Sequence, residues 1–181
     1  MGKDIKDVII TGEKMKERVK ELGALISERY KGKKLLLIGV LKGSVIFFAD
    51  LIREITIPVE IDFISASSYG KSTVSSGVVT LKKDVGCSVS GKNILIVEDI
   101  IDTGFTLKYI KDIFEARSAE SVSICCALDK PSRRDENVNI EVDYIGFQIP
   151  DEFVVGYGLD YDEEYRNLPD VCVLSPEVYT K

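Results

Sequence analysis

The sequence predicts an α/β fold: a mostly parallel central sheet flanked by helices. Three observations carry this. Short, continuous apolar runs such as Leu35-Leu36-Leu37-Ile38-Gly39-Val40 and Ile94-Leu95-Ile96-Val97 read as strands covered on both faces. Stretches with apolar residues at helical spacing alternate with these runs, and such alternation implies parallel strands joined by right-handed crossovers. A length of 181 residues with 45% hydrophobic and 30% charged content suits one domain, taken as 1–181, whose core needs neither disulfides nor a structural metal.

Taken in order, Thr11 is placed to cap a helix in which Met15, Val19, Leu22 and Ile26 share one face, ending near Lys31-Gly32. The Leu35–Val40 strand follows, then Lys42-Gly43-Ser44 and a helical stripe of Val45, Phe48, Ala49 and Ile52. Val59, Ile61 and Phe63 alternate with Glu60 and Asp62, the pattern of a further strand. From Ser65 to Gly77 the chain is rich in Ser, Thr and Gly around a lone Tyr69, which fits a functional mobile loop and an idle surface loop equally. A strand near Val78–Leu81 and a turn at Ser90-Gly91-Lys92 lead to the Ile94–Val97 strand, which stops in acid at Glu98-Asp99. A helix bearing Leu107, Ile110 and Phe114 precedes a strand around Val122–Leu128 that ends at Asp129-Lys130-Pro131. Strands at Tyr144–Ile149 and Val171–Leu174 extend the sheet at an edge or form a small flap, and the pattern does not choose between these.

Composition narrows the chemistry. The chain has no histidine, which excludes Ser-His and Cys-His catalysis and histidine-based metal sites and leaves proton transfer to carboxylates, lysine, tyrosine or water. Cys87, Cys125, Cys126 and Cys172 show no C-x-x-C spacing and read as reduced, structural thiols. A net charge of -6 disfavours a broad nucleic-acid-binding surface. No apolar run reaches the length of a bilayer span and Met1-Gly2-Lys3-Asp4 lacks a secretory core, so a cytoplasmic protein without membrane partners is expected.

In an open α/β sheet, ligands gather where strand ends lead into helix N-termini. The segment Glu98 to Thr106 stands at such a place. Gly104 permits a tight turn, and Thr103 and Thr106 add hydroxyl donors to backbone amides, so a phosphate monoester fits there without an arginine. Glu98 and Asp99 suit a ribose diol, or Mg²⁺ approached through water. The same residues also read as solvated loop acids, with Asp102 a plain helix cap.

Ile94 to Gly104 resembles the phosphoribosyl-pyrophosphate (PRPP) motif of type I phosphoribosyltransferases, most closely in their 6-oxopurine branch. Leu41-Lys42-Gly43, Ser68-Tyr69, Asp129-Lys130-Pro131, Phe153-Val154 and Gly156-Tyr157-Gly158-Leu159-Asp160-Tyr161 resemble further family elements in the same order. The resemblance covers Leu35 to Leu174. It implies the family's sheet with a small hood or flap, and transfer of the phosphoribosyl group from PRPP to hypoxanthine or guanine, giving IMP or GMP and pyrophosphate. Asp102 is implied as general base at purine N7. Leu41, Lys42, Gly43, Glu98, Asp99, Asp102, Thr103, Gly104, Thr106 and Arg166 are implied around PRPP, together with Phe105, which stands where some relatives carry a lysine. Lys130, Phe153, Val154 and Asp160 are implied on the purine side: Lys130 as donor to the exocyclic O6, Phe153 as stacking ring. Asp160 is also implied as a contact of the Mg²⁺ cofactor, with Glu98 and Asp99 within its reach through water. Ser68 and Tyr69 resemble the tip of a loop that closes over the site. A homodimer or homotetramer is expected by the same analogy.

Two competing readings have different tests. A PRPP-fold regulator that binds RNA would share the acidic motif but not the Lys130 and Phe153 matches. A dinucleotide-binding module would need a G-x-G-x-x-G after a strand, which the sequence lacks.

Overall fold

The computed structural model describes residues 3–68 and 79–180. In chain order these form β1 (Ile5–Ile10), α1 (Gly12–Arg29), β2 (Leu35–Val40), α2 (Val45–Glu54), β3 (Val59–Ser68), β4 (Val79–Lys83), β5 (Asn93–Ile101), α3 (Phe105–Ala116), β6 (Ser121–Asp129), a 3-10 turn at Pro131–Arg133, β7 (Tyr144–Gln148), β8 (Val154–Val155), β9 (Val171–Leu174) and α4 (Pro176–Tyr179). A six-stranded sheet runs β4-β3-β2-β5-β6-β7, and a separate three-stranded sheet runs β1-β9-β8. In the large sheet every pairing is parallel except that of β3 with β4.

The continuous apolar runs are buried on both faces, as expected. Leu35, Leu37, Leu95 and Val97 pack with α1 and α2, while Leu36, Ile38, Ile94 and Ile96 pack with α3. Because successive strand side chains point to opposite faces, both sets must be apolar, which is why no alternation is visible in these strands. On α1, Met15, Val19, Leu22 and Ile26 are buried, and the Thr11 hydroxyl accepts from the Lys14 N–H at 3.4 Å as the helix cap. All four cysteines are free thiols.

Two expectations are corrected, one open choice is resolved and one strand is new. β5 does not stop at Val97, because β6 keeps pairing with it out to Ile101↔Asp129, so Glu98 and Asp99 are strand residues. Residues 65–68 belong to β3, where they pair with β4, and not to a loop; Tyr69 and the rest of that stretch up to Gly77 lie outside the described residues. The two undecided strands part company: β7 extends the large sheet at its edge, while β9 joins the small antiparallel sheet. That small sheet also contains β1, which the sequence reading did not find. Register shifts between Ile5 and Asp7 and between Val8 and Ile10 break the period of two that would have marked it.

Candidate active site

β2 and β5 are parallel neighbours from Leu35↔Asn93 to Gly39↔Val97, with β3 on the far side of β2. The chain therefore leaves β2 toward one edge of the sheet and builds β5 toward the other, and a crevice opens between the diverging loops. A cavity of about 280 Å³ occupies this point. Its walls are Val40 at the end of β2 and residues 41–43 after it, residues 98–104 with Thr106 and Leu107, Ala66 of β3, and Asp160 and Arg166 from the segment before β9.

Glu98 is buried, and its Oε1 accepts the Asp99 N–H at 3.1 Å, while Asp99 Oδ1 accepts the Ile100 N–H at 2.7 Å. Burial, reinforced by the neighbouring Asp99 carboxylate, pushes Glu98 well above the usual carboxylate range, and burial raises Asp99 as well. Such a pair retains a proton readily and so can both donate to and accept from adjacent hydroxyls. Facing it, the Leu41–Lys42 peptide bond is cis, and Gly43 approaches so closely that a β-carbon there would lie 1.5 Å from Asp99 Oδ2. Gly158 backs the same strip of chain: at φ +100, a β-carbon on it would meet the Gly43 carbonyl oxygen at 2.1 Å. Only glycine fits at either place.

Gly104, in the left-handed region at φ 92, caps α3 without any side-chain bond. Asp102 is therefore not the helix cap, and among the described residues no side-chain bond caps the start of α3. Thr103, Gly104 and Thr106 line the cavity beside them; Phe105 begins α3 without lining it. Asp102 Oδ1 accepts from Arg133 Nε at 3.1 Å, and the same nitrogen lies 3.8 Å from Asp151 Oδ1.

Across the cavity, Arg166 donates to the Gly158 carbonyl at 2.9 Å and pairs with Asp160 Oδ1 at 2.8 Å and Glu163 Oε2 at 3.2 Å. Lys42 Nζ meets the other oxygen of Glu163 at 2.9 Å, and these two cations, Lys42 first, lower the Glu163 pKa. Two cations, Lys42 and Arg166, are thus tied together by one exposed carboxylate on the side opposite the phosphate-sized turn.

Lys130, Phe153 and Val154 lie outside this cavity but next to it. Lys130 follows the last residue of β6, its N–H bonded to the Ile101 carbonyl at 3.0 Å, and its buried ammonium donates to the Glu152 carbonyl at 2.7 Å. Desolvation lowers its pKa. Phe153 is 38% exposed, stacked on Tyr179 (5.0 Å, 27°) and met edge-on by Tyr161 at 5.6 Å. Val154 is buried in β8 against Val173 of β9. Asp102, touching Arg133 while lining the cavity, stands between the two groups. Ser68 ends β3, and Tyr69 lies outside the described residues.

Sequence reasoning quoted Asp129 only as part of Asp129-Lys130-Pro131, without a role, and missed Arg133, Arg134, Glu163 and Tyr179. Of these, only the Arg133-Arg134 pair carried a signal: two adjacent cations just past the carboxyl end of a central strand, in an acidic chain.

Comparison with known proteins gives a consistent result. The phosphoribosyl transferase domain model matches residues 7–162. The chain is 52% identical to the hypoxanthine-guanine phosphoribosyltransferase of Bacillus subtilis, over 99% of this chain and 98% of that protein. It is 48% identical to the bifunctional protein TilS/HprT of Listeria monocytogenes, matching throughout its own length but spanning only 28% of that relative. The crystal structure of a hypoxanthine phosphoribosyltransferase from Staphylococcus aureus superposes with a TM-score of 0.95 at 49% identity, covering 100% of this chain and 97% of that one.

Proposed function

The chain belongs to the phosphoribosyltransferase family, and from that premise we propose that it transfers the 5-phosphoribosyl group of PRPP to hypoxanthine or guanine, releasing pyrophosphate and forming IMP or GMP. The observation that carries this is the division of one cavity into two chemistries. An acid pair that can exchange hydrogen bonds with a diol shares the cavity with a turn whose threonine hydroxyls and helix-start amides suit a phosphate. The names of the full-length relatives support the base assignment.

In this reading residues 1–181 act as one catalytic unit in the cytoplasm, in assemblies of two or four copies. Thr103, Gly104 and Thr106 hold the 5-phosphate, with Phe105 supplying backbone only. Glu98 and Asp99 take the ribose hydroxyls; Leu41, Lys42, Gly43 and Arg166 face the pyrophosphate. Phe153 stacks on the purine, Val154 meets its edge through its backbone, and Lys130 donates to O6. A buried ammonium discriminates a carbonyl from an amino group at that position, which rejects adenine. As the purine nitrogen bonds to C1 and the bond from C1 to the pyrophosphate oxygen breaks, Asp102 takes the proton leaving N7. Its negative charge also steadies the cationic sugar. Ser68 and Tyr69, the latter outside the described residues, are assigned by the resemblance alone to excluding water from the reacting centre.

Mg²⁺ fits the donors present. Asp160 lines the cavity with a hard carboxylate whose Oδ1 pairs with Arg166 and whose Oδ2 accepts the Glu163 N–H at 3.0 Å, and Glu98 and Asp99 lie in the same walls. Among the described residues no cluster of three or more ligating side chains forms a ready cage. This suits an ion that takes one or two carboxylates and completes its shell with water and substrate phosphate. Asp160 would hold it, with Glu98 and Asp99 reached through water; when bound, it neutralises charge on the departing pyrophosphate.

The test is to supply PRPP and Mg²⁺ with hypoxanthine, guanine, xanthine, adenine and uracil separately and follow pyrophosphate release. Release only with the 6-oxopurines is expected. No base-dependent release, with tight and salt-sensitive RNA binding instead, would overturn the proposal in favour of a regulator. Within it, Asp102→Asn should lower turnover far more than PRPP affinity, and unchanged turnover would remove Asp102 as the base.

A further inference from the structure

We infer that Arg134 is a positioning residue for the phosphate turn, acting through the backbone of Asp102. Its guanidinium bridges two groups: Nη1 donates to the Asp102 carbonyl at 2.6 Å, and Nη2 donates to Asp129 Oδ1 at 2.6 Å. Asp129, the last residue of β6, is only 4% exposed, so the arginine is anchored on the rigid end of a central strand. The neighbouring Asp135 N–H donates to the Thr103 carbonyl at 3.2 Å. The Gly104 α-carbon packs beside Arg134 Cδ, Val138 and Ile140, where a side chain would meet them at 3.0 to 3.4 Å.

These contacts have a directional consequence. In a planar trans peptide the carbonyl of one residue and the N–H of the next point in opposite directions. Holding the Asp102 carbonyl toward Arg134 turns the Thr103 N–H away from it, and holding the Thr103 carbonyl toward Asp135 does the same for the Gly104 N–H. Arg134 is not part of the cavity wall, whereas Asp102, Thr103 and Gly104 are. The amides are therefore aimed at the cavity before any ligand arrives, and the Asp102 carboxylate is fixed by the same peptide. Lysine, with one ammonium in place of a rigid fork, cannot bridge the carbonyl and Asp129 in this geometry.

The inference rests on the proposed reading of the 102–106 turn as a phosphate site. Arg134→Lys and Arg134→Ala should raise the KM for PRPP by roughly 10- to 100-fold, the usual weight of a charge-assisted hydrogen bond. The KM for the base should stay within about twofold, a change too small to represent a lost contact. Asp129→Asn should show the same selective signature, and added guanidinium or methylguanidinium at millimolar level should restore PRPP affinity to Arg134→Ala. An unchanged KM for PRPP in both arginine variants overturns the inference. So does a parallel loss of every kinetic constant with no rescue, which would mark a merely structural arginine. Calorimetry with ribose 5-phosphate separates this from the wider proposal. If the unaltered protein released no pyrophosphate yet bound ribose 5-phosphate, weaker binding by Arg134→Lys would still support the clamp, and equal binding would refute it.

Discussion

Gly43→Ala converts one close approach into a measurable loss. The new β-carbon would sit 1.5 Å from Asp99 Oδ2 and 2.6 Å from its Cγ, where real contacts do not fall below 3.0 Å, so the carboxylate or the strip must move by about 1.5 Å. The strip has little room to retreat, because its own carbonyl abuts Gly158, where a β-carbon would lie at 2.1 Å. The carboxylate must swing instead, straining or breaking its 2.7 Å bond from the Ile100 N–H. Overpacking of this kind costs about 1 to 3 kcal/mol. For a chain of this size each kcal/mol lowers Tm by about 2 to 4 °C, so calorimetry should record a fall of about 2 to 12 °C. Displacing a carboxylate that faces the substrate by over an ångström should reduce kcat/KM for PRPP by about a hundredfold. Gly86→Ala is the control: its β-carbon would meet Asp62 Oδ2 at an ordinary 3.8 Å, and neither Tm nor kcat/KM should change. A Gly43→Ala protein as stable and as active as its parent would refute the reasoning.

Three other perturbations read separate parts of the molecule. Glu98 has its folded-state pKa raised by burial, so its contribution to stability is full below the unfolded-chain value and is lost as pH rises through the folded one. Glu98→Gln should therefore melt higher than the parent at neutral pH, with the gap closing as pH falls into the carboxylate range, while activity drops; equal Tm at neutral pH would contradict this. Tyr157→Phe removes the 2.8 Å bond from its hydroxyl to Asp50, which keeps its contact with Arg53, and should cost about 1 kcal/mol or about 2 to 4 °C in Tm. PRPP binding should be unaltered in that variant, as titration calorimetry would report. Tyr179→Ala strips the stacked ring from Phe153 and should raise the KM for the base by about 2- to 10-fold, with Tyr179→Phe restoring it. A lower KM for the base in Tyr179→Ala would mean that the tyrosine covers the ring face a base would use.

What was legible in the sequence follows from how each element is buried. β2, β5 and β6 announce themselves because a strand packed on both faces must be apolar at every position. α1 is as plain, since one buried stripe and a capping threonine define it. β1 was invisible because its bulges destroy alternation, and β7 and β9 could be named but not assigned, because a short apolar run carries no label for its partner. At the site, Glu98, Asp99 and the 102–106 turn were readable as local sequence. Their bonds to Arg133 and Arg134 were not, because those join residues about thirty positions apart through the meeting of two strand ends. The acids were expected beyond the strand because charge usually ends one; here the cavity lets β5 continue through them.

The small sheet has a bearing on how the molecule comes into being. Its strands β1 and β9 are distant in sequence, with Ile5 opposite Leu174, while β8 and β9 are consecutive, with Val154 opposite Val173. During synthesis the six strands of the large sheet, and the turns after β2 and β5, are all made before Val171 exists, whereas Phe153 and Val154 wait for β9 to give them a support. Closing so long a loop is also the entropically slowest pairing in the chain. A nascent molecule should thus acquire its cradle for sugar phosphate first and its platform for a flat ring last. A ligand that binds the early half would stabilise the chain while the other is still forming.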